Sequence, residues 1–165
     1  MRSRILLAAA IAGLAFGRAR AATSGNAPVT ATIQAIDALS LTNSGTITLS
    51  GAAGSNTLTG PSDSSALLNY SHNSATAGHV TAQVLSGNVP AGQDITLTVS
   101  VAGGDGAKTL LASGAGQAAQ TVWSGIAAGA YANKAITYTA SCTASGTKVS
   151  ADTTFNIVVT FTSTP

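Results

Sequence analysis

The chain has one cysteine, one tryptophan, no glutamate and no arginine after Arg20. Each shortage excludes something. With Cys142 alone, no intrachain disulfide can form, so the fold must rest on a packed core. Charged residues make up 7% of the chain and aromatics 4%. Past residue 16 there is no apolar run long enough to span a bilayer as a helix, and no segment holds a helical period over three turns. Five aspartates stand scattered along the chain. Asp63, Asp94, Asp105 and Asp152 fall in turn-like contexts, so the placed carboxylate pair of a glycosidase is not indicated.

The four arginines answer to an address. Arg2 and Arg4 precede an apolar or small-residue run from Ile5 to Phe16, and Ala19-Arg20-Ala21 supplies the small residues a signal peptidase reads before Ala22. Residues 1–21 are therefore expected to be a cleaved signal peptide, residues 22–28 a flexible leader and residues 29–165 one domain. Export to the periplasm, the cell surface or the medium follows, with no membrane span once the signal is gone. Without those arginines the formal charge changes from +2 to −2, from three lysines against five aspartates. No basic stripe remains to neutralise phosphates, and nucleic acid is excluded as a partner. Disorder is equally disfavoured, since 45% of residues are hydrophobic and the mean hydropathy is +0.34.

What is present is alternation. "VTATIQA" places Val29, Ala31, Ile33 and Ala35 on one face, and "IDALSLT" continues after a phase break at Ile36-Asp37. "GTITLSG", "HVTAQV", "ITLTVSV", "QTVWSGI", "AITYTASCT" and "TTFNIVVTFTST" alternate likewise, separated by Gly, Asn, Asp and Pro clusters, whereas "TGPSDSSALLNYSHNSATAG", where Ser62 to Ser65 could also cap a short helix, reads as a loop and then a strand on Ala66, Leu68 and Tyr70. "GGDGAKT" reads as a hairpin turn and "AAGAYANK" as another. Roughly eight short antiparallel strands at this spacing predict an all-β fold, a single Ig-like, Greek-key β-sandwich. Cys142 shares the inward phase of Ile136 and reads as a buried, inert thiol.

Sites for chemistry are few. His72 and His79 stand seven apart with no further ligands around them, so no metal is expected, and no cofactor motif appears. No serine has the flanking glycines of a nucleophile elbow, although a hydrolase with a dispersed Ser, His and Asp site remains a third reading. Trp123 and Tyr131, with Tyr70 and Tyr138, are candidates for stacking on sugar faces, which keeps open the alternative of a small carbohydrate-binding module with a glycan partner.

The outward strand positions are Thr, Ser, Asn and Gln, where soluble monomers usually carry Lys and Glu, so the charges that guard sheet edges are nearly absent. On the leader followed by "VTATIQAI", the "GAYANKAITYTASC" stretch and the terminal "FNIVVTFT", the chain resembles secreted bacterial fimbrial or surface-fibre subunits. That resemblance implies a non-enzymatic structural or adhesive protein that joins copies, or other surface proteins, by donating an N-terminal strand. Val29, Ala31 and Ile33 would be the inserting side chains. The single Cys142 departs from the paired cysteines of many chaperone-usher subunits.

Overall fold

A computed structural model describes residues 30–51, 55–85, 94–143 and 156–165. The expected signal and leader, with Ala19, Ala21, Ala22 and Val29, lie outside these residues, as does Asp152. The chain divides into two units, Met1–Ile33 and Gln34–Pro165, and the second carries every described strand.

The fold is all-β and antiparallel, with no helix among the described residues. Ten strands form, in chain order β1 (Asp37–Thr42), β2 (Thr57–Thr59), β3 (Asp63–His72), β4 (Gly78–Val84), β5 (Ile95–Val101), β6 (Lys108–Ala112), β7 (Ala115–Gly116), β8 (Gln120–Ile126), β9 (Gly129–Thr143) and β10 (Val159–Thr164). One curled sheet has the order β1-β3-β9-β5-β6-β7, with β2 also on β9, and a second has the order β10-β4-β8.

Alternation drives the packing. Ala66, Leu68 and Tyr70 of β3, Val80, Ala82 and Val84 of β4, and Ile95, Leu97, Val99 and Val101 of β5 are all buried, and they share one core with Leu110, Leu111, Val122, Ile136 and Phe161. Branched side chains on a pleated strand bury one face at about 25 cal/mol per Å² of apolar area, while the Thr and Ser between them keep the other face hydrated. Cys142 belongs to this core at 4% exposure, and burial pushes its thiol pKa up, which keeps it protonated and poorly nucleophilic.

Four strand assignments differ from the pattern in the sequence. Residues 30–36 lie outside any strand, since β1 begins at Asp37. Asp37 keeps the phase of Leu39 and Leu41, opposite His72, with no break inside β1, and like Leu41 it is exposed. "GTITLSG" makes a single bridge, Ser50 to Thr59, in place of a strand. The turn expected over "AAGAYANK" shrinks to Ala127-Ala128, between β8 and β9. Residues from Gly129 onward already belong to β9, which pairs with β3 on this side and accommodates Asn133 at φ 55 beside a register shift.

Candidate functional site

Three groups of polar or aromatic side chains emerge from this frame. The first is a buried polar pair. His72, 3% exposed, ends the inward row of β3, and its Nε2–H donates to the Ile126 carbonyl at 3.0 Å. Its ring stacks on Tyr70 at 5.2 Å between centroids, and neither His72 Nδ1 nor the Tyr70 hydroxyl has a well-formed hydrogen bond. Burial raises the Tyr70 phenol pKa, and the Asp37 charge beside it adds to the rise. Gly78 packs directly on the pair: a Cβ there would stand 2.6 Å from Tyr70 Oη and 3.2 Å from His72 Nε2. The inward row Ala66, Leu68, Tyr70 was visible in the sequence, and extending it by one step would have placed His72 in the core.

A second group surrounds Trp123, which is 7% exposed. Tyr131 meets it edge-on at 5.2 Å and 78°, and the Lys134 ammonium lies 5.6 Å from the Trp123 ring centroid. These two rings form a perpendicular pair with the Lys134 ammonium beside them. Tyr70 is buried in the core, and Tyr138 packs over Gly45 on another part of the sheet.

The third is a structural knot at Asp63. Its carboxylate accepts hydrogen bonds from Ser65 Oγ at 2.6 Å, Ser65 N at 2.9 Å and Thr46 N at 3.1 Å, which together hold its pKa below that of an ordinary aspartate. Burial, with that carboxylate nearby, pushes the Tyr138 phenol up to about 12. A depressed carboxylate contributes stability above the ordinary carboxylate range and loses it as pH falls through the lowered pKa. Asp63→Asn is therefore expected to flatten the fall in melting temperature of the wild-type chain below about pH 4. An unchanged acid limb in thermal melts contradicts this role.

No hydrogen bond among the described residues joins either histidine to a serine, cysteine or aspartate side chain, and no cluster of three or more His, Cys, Asp or Glu is present among them. His79, on β4 opposite Thr164, lies in the other sheet from His72.

The sheet margins carry the remaining unpaired groups. The outer side of β8 is covered: Asp105 N donates to Val122 O at 2.9 Å, and Ser124 Oγ donates to Asp105 Oδ1 at 3.0 Å. β7 has two residues only. β1 and β10 each pair on one side alone among the described residues. β1 carries Asp37, whereas β10 (VTFTST) carries no charge and buries Phe161 inward. Val158, just before it, is 52% exposed, and Leu85, just past the partner strand β4, is 48% exposed.

Upstream of β1, Ala31 is exposed and Ile33 is 87% exposed. Val29, the third candidate inserting residue, lies outside the described residues. Comparison with known proteins finds no matching family model, no similar curated protein and no similar solved structure.

Proposed function

We propose that the protein is an exported, non-enzymatic structural or adhesive component of the bacterial surface, a fibre-type subunit that joins copies by β-strand addition. The observation that carries this reading is the pairing of two incomplete parts in one chain. One is an uncharged strand edge, β10, which is hydrogen-bonded to β4 and to no other strand among the described residues. The other is an uncharged segment, "TATIQAI", whose apolar side chains alternate and whose Ile33 is 87% exposed. Strand addition satisfies backbone donors and acceptors on both parts and removes apolar side chains from water. An Ig-like sandwich is the architecture this reading implies.

Deleting residues 22–33 separates folding from assembly, because Ala31 and Ile33 are exposed and no described strand is lost. The shortened chain is expected to keep its melting transition and to form no fibres in negative-stain images in which the exported wild-type chain does. A deleted chain that unfolds, or that polymerises like wild type, counts against the reading.

A further inference from the structure

Just past β3, Asn73 holds the chain upstream of β1 by three hydrogen bonds. Its Oδ1 accepts from Ile36 N at 2.7 Å, its Nδ2 donates to Gln34 O at 2.7 Å, and its backbone N donates to Ile36 O at 3.3 Å. A carboxamide carries the same donor and acceptor as a peptide group. Asn73 therefore extends the β1–β3 ladder past its last pair, Asp37 and His72, with a side chain in place of the next residue of a strand. No backbone hydrogen bond is made by residues 30–33 among the described residues, and the boundary between the two units of the chain falls at Ile33 and Gln34.

We propose that Asn73 is the positioning residue for assembly: it holds residues 34–36 against their own domain and so makes Ile33 the last residue free to pair with a second copy. The inference rests on the strand-addition reading. It divides the alternating segment into two functions. Ala31 and Ile33 are available to a neighbour, while Ala35 and Ile36, although apolar, are committed in cis. Residues 34–36 have already lost their backbone freedom in the unassembled chain, so less conformational entropy is lost when the upstream residues dock. The clamp also fixes where the free segment starts, and so sets the register in which a neighbour receives it.

The test uses the full exported chain. Asn73→Ala removes both side-chain bonds and is expected to weaken self-association about tenfold in sedimentation, and to speed amide exchange at Ile36. Asn73→Asp keeps the acceptor for Ile36 N–H and loses the donor for Gln34 O. It is expected to keep Ile36 protected and to weaken association by less than the alanine variant. Melting temperatures should stay within about two degrees of wild type, because Asn73 is exposed and its bonds lie outside the core. If wild type assembles and Asn73→Ala assembles with the same concentration dependence, the clamp has no role in assembly and strand addition stands. A variant that loses its cooperative melt, or a wild-type Ile36 amide that exchanges at the rate of an unprotected peptide, also overturns it. A wild-type chain that is monomeric throughout removes the strand-addition reading itself.

Discussion

Thr162→Lys is expected to reduce self-association at least tenfold while leaving the melting temperature unchanged. Thr162 is exposed in the middle of β10, so a lysine there meets water in the free chain. In an assembled chain the same lysine lies beside an added strand, and a charge on an edge strand is how natural sheets prevent such pairing. The matched control is Ser40→Lys on β1, also exposed and also on a one-sided strand. Its association should stay within about twofold of wild type. Loss of assembly with Ser40→Lys alone would move the acceptor edge from β10 to β1, and no effect from either lysine would exclude both edges.

The largest effect on stability is expected at Gly104. A Cβ there would stand 2.2 Å from the Val122 carbonyl oxygen and 3.1 Å from that of Val101. Both obstacles are backbone, and the same turn is tied by Gly104 N to Val101 O and by Asp105 N to Val122 O, each at 2.9 Å. The turn cannot yield without releasing β8. Gly104→Ala should therefore cost about 3 kcal/mol and lower the melting temperature by about 10 °C. Neighbouring Gly103 makes the contrast. At φ 81 with nothing within 4 Å of its Cβ position, it has a conformational reason to be glycine and no steric one, so Gly103→Ala should cost about 1 kcal/mol. Equal losses at the two positions in denaturant melts would mean that the close approach to β8 does not govern the turn.

How far the fold could be read from the sequence depended on whether a strand's partner lay on both sides. β5 and β4 alternate without interruption and are buried with the expected residues inward, from Ile95 to Val101 and from Val80 to Val84. Central strands are forced into register by the core. β2 and β7, three and two residues long, carry no readable period and exist because longer neighbours offer them backbone partners. "VTATIQA" alternates as cleanly as β5, yet its described residues form no strand, since a period of two fixes the faces of a segment and not the presence of a neighbour. Glycine and asparagine misled in the opposite direction at Gly129 to Asn133, where pairing with β3 overrides local turn preference.

The candidate sites divide along the same line. The burial of Cys142 was legible from its strand. His72 was not, because a histidine near Asn, Ser and Gly reads as a loop residue until its phase with Tyr70 is counted. The Asn73 clamp leaves no mark in the sequence at all. It joins residues 37 and 39 positions apart, and only the folded ladder of β1 on β3 brings them together.

Sedimentation velocity on the exported wild-type chain, across a wide concentration range, tests the central claim most directly. Strand addition predicts species larger than the monomer that grow with concentration and vanish in the chain lacking residues 22–33. A single monomeric boundary at every concentration would contradict it.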